Sequence, residues 1–262
     1  MLKRQRMTVF HIDLRRLTII TAKSVIIIDI DKLRVKKYNE SGENMRKYDY
    51  ILFDLDGTLS ESAEGVRLSI EHALSALSLP CPDLSDYTLY IGPPLEDTFR
   101  GLCAVPEKLI QPAMVIYRDY YDDIGIRNNG LYSGVIELLD RLREGGCRLA
   151  ICTSKNEPVA ERVAESLGLI GHIDAICGST LDGSRRAKAD IIPYALSTLG
   201  CTDKSRAVMV GDTHFDASGA AATELDFIGV TYGYGSRDSM EAVGGTDFAD
   251  TPMEVYDHII IH

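Results

Sequence analysis

Acidic side chains follow two of the apolar segments in this sequence, where they could bind a cation. Asp54 and Asp56 come directly after one segment, and Asp212 and Asp216 come after another. Residues two apart on an extended chain point the same way, so Asp54 and Asp56 can face one cavity. Carboxylates held together repel unless they share a proton or bind a cation, and carboxylate and phosphate oxygens suit Mg²⁺. The spacing therefore predicts a metal site built from oxygen ligands.

Hydroxyl and amine side chains lie between these acidic pairs in the sequence. Thr153 and Ser154 end a third apolar segment just before a predicted helix, and the N–H groups at a helix N-terminus bind anions. Lys188 opens a later helix and would add a positive charge. Each signal alone has an ordinary structural explanation, namely an Asp-Gly turn, a helix N-cap or a solvated lysine. Together and in this order they predict a site for a phosphoryl group and Mg²⁺.

From residue 50 onward, short apolar segments alternate with amphipathic ones. The apolar segments fit buried parallel strands, and the amphipathic segments place apolar residues at helical spacing. Strands are predicted at residues 50–54, 148–152, 173–177, 207–211 and 227–230. The alternation predicts an α/β fold, a Rossmann-like doubly wound parallel sheet with helices on both faces. In such sheets ligands bind at the carboxyl ends of the strands, which is where the polar residues described above lie.

This alternation is interrupted between residues 60 and 130, where every predicted element is helical. Helices are predicted at residues 62–78, 94–102 and 107–123. The interruption predicts an inserted helical cap domain at residues 60–130. The core domain would then consist of residues 45–59 and 131–262.

The first 44 residues differ in charge from the rest of the chain. They hold ten Lys and Arg against five Asp and Glu, whereas the remaining residues hold 18 and 34. Segments rich in Ile, Val and Thr predict strands at 8–14, 17–21, 24–30 and 33–37, followed by a polar linker at 39–44. One interpretation is a small basic β-appendage that binds an acidic partner. The other, which we favour, is that the natural protein starts at Met45.

The composition excludes several classes of function. The chain has 262 residues and a formal net charge of −11, which disfavours nucleic acid and anionic membranes as partners. No apolar run approaches the roughly 20 residues of a membrane span, and the N-terminus does not fit a signal peptide. The six cysteines form no CxxC pair. We therefore expect a soluble cytoplasmic protein with reduced thiols.

These motifs resemble those of the haloacid dehalogenase superfamily, and the resemblance covers residues 45–262. Its four motifs are matched by Asp54-Leu-Asp56-Gly-Thr58, Thr153, Lys188 and Gly211-Asp212-x-x-x-Asp216. The inserted helices resemble the C1 type of cap in this superfamily. Three further segments resemble a branch named phosphoglycolate phosphatase or 5′-nucleotidase: Ile91-Gly-Pro-Pro-Leu95 with Phe99, Gly178-Ser-Thr-Leu-Asp-Gly183 with Arg185, and Tyr232-Gly-Tyr-Gly-Ser236.

The resemblance implies the catalytic roles of the first motif. Asp54 would attack phosphorus to give an aspartyl-phosphate. Asp56 would protonate the leaving oxygen and then take a proton from the hydrolytic water. Mg²⁺ would bind the Asp54 side chain, the Asp56 backbone carbonyl and Asp212, and would offset the charge between carboxylate and phosphate.

The remaining motif residues are implied to hold the phosphoryl group and the metal. Thr153 and Lys188 would grip the phosphoryl oxygens. Asp216 would hold the metal shell or Lys188 in place, and Ser154 would support the same end of the strand.

The resemblance indicates the reaction better than the substrate. We expect a Mg²⁺-dependent phosphatase, monomeric or homodimeric, that acts on a small phosphorylated metabolite in the manner of phosphoglycolate phosphatase. A 5′-nucleotidase and a β-phosphoglucomutase-like phosphomutase remain alternatives, as does a binding module that uses the basic N-terminal segment. Retention of Asp56 argues against a dehalogenase. The candidate contacts to the leaving group are Gly92, Pro93 and Arg100, and Arg185 and Arg186 would add positive charge near the entrance of the site.

Overall fold

The N-terminal segment contains four short antiparallel strands. The structure, a computed structural model, describes residues 8–13, 16–20, 25–29, 34–38 and 46–260. The N-terminal strands are β1 (Thr8–Asp13), β2 (Arg16–Ile20), β3 (Val25–Asp29) and β4 (Arg34–Tyr38), and each pairs with the next. All four predicted strands are confirmed to within one residue at each end. The predicted linker at 39–44 and Met45 lie outside the described residues.

The site is carried by a second, parallel sheet. The strands from residue 50 onward are β5 (Tyr50–Phe53), β6 (Ser60–Glu61), β7 (Gly130–Leu131), β8 (Arg148–Asn156), β9 (Ala175–Ser179), β10 (Ala207–Gly211), β11 (Asp226–Val230) and β12 (Phe248–Ala249). Six of them form the parallel sheet in the order β12-β11-β10-β5-β8-β9. Its register pairs Phe53 with Val210 on one side and with Ile151 on the other. The residues that follow these three therefore meet at one edge.

Helices cover both faces of this sheet, which confirms the doubly wound α/β fold. The helices are α1 (Ala63–Ala76), α2 (Leu95–Arg100), α3 (Glu107–Asp123), α4 (Val135–Glu144), α5 (Glu157–Ser166), α6 (Lys188–Leu199), α7 (His214–Ala222), α8 (Arg237–Glu241) and α9 (Pro252–Ile259). Ile51 and Phe53 pack in the core cluster on the α4 and α9 face, and Leu52 packs with α6 on the other. Burial on both faces explains why β5 is continuously apolar.

The helical residues 60–130, called the cap below, join the sheet through a two-stranded ribbon. β6 pairs antiparallel with β7, with Ser60 opposite Leu131 and Glu61 opposite Gly130. Beyond the ribbon, α1 and α2 pack against α3, and Phe99 contacts Tyr117 edge-on with ring centroids 6.1 Å apart. The ribbon lies at the positions where the sequence predicts the cap boundaries. The division into extension, core and cap as separate domains stays a prediction.

Two features of the sheet were not expected from the sequence. β8 extends to Asn156 rather than ending at residue 152, and its register against β9 is irregular after Cys152. β12 has only two residues, Phe248 and Ala249, too few to give a periodic pattern. Within the described part of the chain, no helix is both long and apolar enough to cross a membrane.

We expect a protein that begins at Met45 to fold and to keep the activity of the full chain. All six strands of the parallel sheet and every predicted site residue lie after residue 46, so the truncation removes no strand of that sheet. The measurement is thermal unfolding together with kcat/KM of both forms. An insoluble truncated protein, or one with altered substrate preference, would show that residues 1–44 are a genuine domain.

Candidate active site

A buried lysine joins the ends of three strands. Lys188 is the first residue of α6 and is 4% exposed. Its Nζ lies 2.7 Å from Asp54 Oδ1 and 2.6 Å from Asp216 Oδ1, and it donates to the Cys152 carbonyl oxygen at 2.7 Å. Burial alone would lower the pKa of Lys188, but the carboxylates of Asp216 and Asp54 outweigh that effect and raise it. The side chain is therefore a charged part of the site rather than a solvated lysine.

Each acidic residue after β10 is fixed by hydrogen bonds. Asp212 Oδ2 accepts the backbone N–H of Tyr234 at 2.8 Å, and its Oδ1 accepts the Thr58 hydroxyl at 3.2 Å. Asp216 Oδ2 accepts both the backbone N–H and the hydroxyl of Thr213, at 3.1 and 2.7 Å. The contacts between Thr213 and Asp216 begin α7, and the Thr58 hydroxyl holds the Asp212 carboxylate beside the segment that follows β5. The loop at residues 232–236, singled out in the sequence, thus positions Asp212.

Gly57 allows the first motif to approach Asp212 closely. Its φ is +89°, and a Cβ there would lie 2.2 Å from Asp212 Oδ2. Both the left-handed backbone and the missing space exclude any side chain. The Asp-Gly pair is therefore part of the site as well as a turn.

Three carboxylates form a cluster that suits a divalent cation. Oxygens of Asp54, Asp212 and Asp216 lie within 4.8 Å of one another, and all three residues are buried. Burial raises the pKa of Asp54 to about 6 against the opposing effect of Lys188. Burial, with Asp216 and Asp54 nearby, raises the pKa of Asp212 well above its usual range. Three carboxylates against one ammonium leave excess negative charge, which Mg²⁺ with its oxygen ligands would neutralise.

Asp56 makes a different contact from the other three acids. Its Oδ2 lies 2.8 Å from Lys155 Nζ, at the end of β8. Burial alone would lower the pKa of Lys155, but the Asp56 carboxylate outweighs that effect and raises it. Of the three acids predicted to bind metal, only Asp54 and Asp212 bring their side chains into the carboxylate cluster. Asp56 could still contribute its backbone carbonyl.

A cavity of about 460 Å³ lies between these strand ends and the cap. Thr153, Ser154 and Lys188 line it on the sheet side, together with Asp54 and Asp56. On the cap side, the cavity is lined by the apolar and aromatic side chains of Tyr90, Met114, Tyr117 and Tyr121. The two predicted loop residues, Gly92 and Pro93, line it as well. Seven of the sequence-predicted site residues thus line one cavity.

Two of the predicted arginines do not face the cavity. Arg100 pairs with Glu96 and Glu107 on the cap surface. Arg185 pairs with Glu157 at 2.6 Å and lies over the Tyr194 ring, and neither Arg100 nor Arg185 is among the residues lining the cavity. We therefore remove both from the candidate substrate contacts.

Arg118 and Arg186 line the cavity instead. Arg186 also pairs with Asp97 of the cap at 3.1 Å. The sequence analysis expected Arg186 near the entrance but missed Arg118 as a cavity residue, and it missed Lys155 and Tyr121 as partners of the first motif. Lys155 carried a usable signal because it directly follows Thr153 and Ser154 at a strand end. Arg118 and Tyr121 lie on α3, where helical periodicity alone cannot distinguish a cavity face from a core face.

A family assignment follows from the sequence profile of the haloacid dehalogenase-like hydrolases, which matches residues 51–230. The chain belongs to this family. The matched range includes all four haloacid dehalogenase motifs and the cap. The crystal structure of a predicted phosphatase from Clostridium acetobutylicum has the same fold, with a TM-score of 0.75 and 36% identity over 80% of this chain and 97% of that one.

Curated haloacid dehalogenase relatives carry several activities in their names. Tyrosine-protein kinase PtkA of Mycobacterium tuberculosis is 40% identical over 196 residues, 75% of this chain, and the chain spans 66% of the length of that relative. A 5′-nucleotidase of Pseudomonas aeruginosa is 36% identical over 75% of this chain and 88% of its own. A phosphoglycolate phosphatase of Mesorhizobium japonicum is 31% identical over 71% of this chain and 84% of its own. The resemblance to the branch with the last two names is confirmed.

The raised pKa of Asp54 predicts how pH affects the stability of the metal-free protein. A carboxyl group with a pKa of about 6 when folded and 3.8 when unfolded stabilises the fold below pH 4, and this stabilisation is lost as pH rises through 6. Asn at this position does not titrate. In EDTA, the unfolding free energy of Asp54→Asn relative to wild type should therefore rise by about 2 kcal/mol between pH 4 and 7. Urea unfolding at both pH values measures it, and a constant difference would contradict the burial argument.

Proposed function

We propose that this protein is a Mg²⁺-dependent phosphatase that hydrolyses phosphomonoesters through an aspartyl-phosphate on Asp54. The observation that carries the proposal is the contact of Asp54 with the buried Lys188, beside Asp212 and at the base of the cavity. A nucleophilic carboxylate, a fixed cation and a metal-binding carboxylate are the groups that phosphoryl transfer requires. The names of the phosphatase and nucleotidase relatives support this reaction.

Asp54 would act as the nucleophile. One of its oxygens forms a bond to phosphorus while the bond from phosphorus to the leaving oxygen breaks. Lys188 holds the Asp54 carboxylate in place at 2.7 Å and brings positive charge to the phosphoryl oxygens. The Thr153 hydroxyl lines the same cavity and can donate to one of those oxygens. A bound Mg²⁺ would offset the repulsion between carboxylate and phosphate.

Asp56 would move the protons. In the first step Asp56 acts in its protonated form and gives that proton to the leaving oxygen, which departs as an alcohol. Lys155 can donate a hydrogen bond to the carbonyl oxygen of this form, and it pairs with the carboxylate that remains afterwards. In the second step the resulting carboxylate takes a proton from the water that attacks the aspartyl-phosphate. Inorganic phosphate leaves, and Asp54 and Asp56 return to their starting states. Asp56 lines the cavity two residues beyond the nucleophile, on the same strand extension.

A small phosphorylated metabolite, of the phosphoglycolate kind, is the substrate class we favour. Arg118 and Arg186 line the cavity, and a guanidinium can bind the carboxylate of such a substrate. A 5′-nucleotidase is the second candidate, because Tyr90, Tyr117 and Tyr121 give the cap side an aromatic wall that suits a base. The net charge of −11 supports neither nucleic acid nor an anionic membrane as partner. The cytoplasmic location and the monomeric or homodimeric state stay predictions.

Asp54→Asn should reduce phosphate release by roughly 10³-fold or more, because an amide is a poor nucleophile. The assay uses wild type and variant with 2-phosphoglycolate, AMP, p-nitrophenyl phosphate and β-glucose 1-phosphate, with Asp140→Asn beside His172 on the surface as the matched control. Fastest turnover on 2-phosphoglycolate is expected. Fastest turnover on AMP would favour the nucleotidase, and isomerisation of the sugar phosphate without phosphate release would favour a mutase. Near wild-type activity of Asp54→Asn would exclude the mechanism.

Activity should require Mg²⁺, stop in EDTA and be suppressed by excess Ca²⁺, which takes more oxygen ligands at longer distances. Mg²⁺ should also raise the unfolding temperature of wild type, because it binds only the folded state. The same increase should be absent in Asp212→Asn. Activity that resists EDTA, or an equal thermal shift in both proteins, would refute the role of Asp212 as a metal ligand.

A further inference from the structure

A chain of polar contacts connects Asp56 with the cap. Lys155 Nζ, which pairs with Asp56, also donates to the Tyr121 hydroxyl at 2.9 Å. That hydroxyl accepts a second hydrogen bond, at 2.8 Å, from Asn129 Nδ2, directly before β7. Tyr121 lies on α3 of the cap, and Lys155 lies on β8 of the parallel sheet. This series of polar contacts therefore leads from the ribbon of the cap, through helix α3, to Asp56, which lies two residues after the proposed nucleophile Asp54.

The lysine in this chain is enclosed rather than solvated. Its side chain is 11% exposed, and its Nζ lies 4.7 Å from the centre of the Tyr121 ring. Tyr121 is itself buried and stacks on Tyr117 with centroids 5.7 Å apart. Among residues 46–260, Lys155 is the one ion-pair partner recorded for Asp56. The orientation of Asp56 thus depends on the Lys155 ammonium, and the position of that ammonium depends on Tyr121 of the cap.

We propose that Lys155 is a positioning residue for Asp56 and that Tyr121 makes this positioning depend on closure of the cap. The inference rests on the proposed phosphatase function, and neither residue needs to touch the reacting atoms. The Lys155–Tyr121 hydrogen bond forms only while α3 lies against the sheet, because a donor–acceptor distance beyond about 3.5 Å no longer counts as one. Opening the cap would release Lys155, and with it the orientation of Asp56.

The consequence for the reaction lies in the first proton transfer. As the bond from phosphorus to the leaving oxygen breaks, negative charge develops on that oxygen, and the Asp56 proton neutralises it. A good leaving group needs little of this help, and a poor one needs much more. A variant in which only the positioning of Asp56 is impaired should therefore lose more activity on esters of weakly acidic alcohols than on esters of more acidic ones.

The test compares phenyl phosphate with p-nitrophenyl phosphate, two esters of similar shape with leaving groups of different acidity. The measured quantity is kcat/KM, which reports steps up to phosphoryl transfer and omits the later hydrolysis. Lys155→Met keeps the length of the side chain and removes its charge. It should lower kcat/KM for phenyl phosphate by roughly 100-fold, the scale of general-acid catalysis. The loss for p-nitrophenyl phosphate should be several-fold smaller than that.

Tyr121→Phe removes the hydroxyl that Lys155 contacts and leaves the Asp56–Lys155 ion pair in place. It should change the ratio of kcat/KM for phenyl phosphate to kcat/KM for p-nitrophenyl phosphate in the same direction as Lys155→Met, but to a smaller extent. Arg141→Gln is the control, because Arg141 pairs with Glu137 at 2.6 Å within α4 and this pair involves no cap residue and no contact with Asp56. Its ratio should equal that of wild type.

The outcomes separate this inference from the proposed function. Equal losses on both esters in Lys155→Met would overturn the positioning role, as would a wild-type ratio in Tyr121→Phe. Should Lys155→Met fail to fold, the Tyr121→Phe ratio still decides. Failure of wild type to hydrolyse either ester, or full activity of Asp54→Asn, would instead refute the phosphatase itself.

Discussion

The site depends on one ammonium group held among buried carboxylates. Lys188 comes from the start of α6, yet its Nζ lies within 2.7 Å of oxygens from Asp54 and Asp216, which follow different strands. Charges removed from water are costly unless they are paired and hydrogen-bonded. The rest of the sheet edge is arranged to meet that requirement. Thr213 donates to the other oxygen of Asp216, and Tyr234 and Thr58 donate to the two oxygens of Asp212.

The parallel sheet makes this concentration of charge possible. Because β5, β8 and β10 are adjacent and in register, residues that are distant in sequence reach the same edge without long loops. Their apolar interiors supply stability on both faces of the sheet. The polar residues begin only where the strands end. The fold thus separates the stabilising core from an edge at which repulsion is tolerated for binding and catalysis.

The sequence predicted the sheet and the acids because both leave short-range signals. An apolar run followed by Asp54-Leu-Asp56-Gly57 marks a strand end directly. Contacts across the fold leave no such signal. Arg185 looked available for a substrate, but it is committed to Glu157, which lies 28 positions earlier. Lys155 and Tyr121 meet only because the cap folds over the sheet, and no pattern within either segment encodes the other.

The ribbon of β6 and β7 has a consequence for how such proteins diversify. The chain enters and leaves the cap side by side, at paired positions 60–61 and 130–131. The whole cap between these positions can be replaced by another domain, provided that the two ends of the new domain still form the ribbon. The sheet would neither lose a strand nor change its register. One core domain could in this way acquire new substrate specificities through exchange of the cap alone.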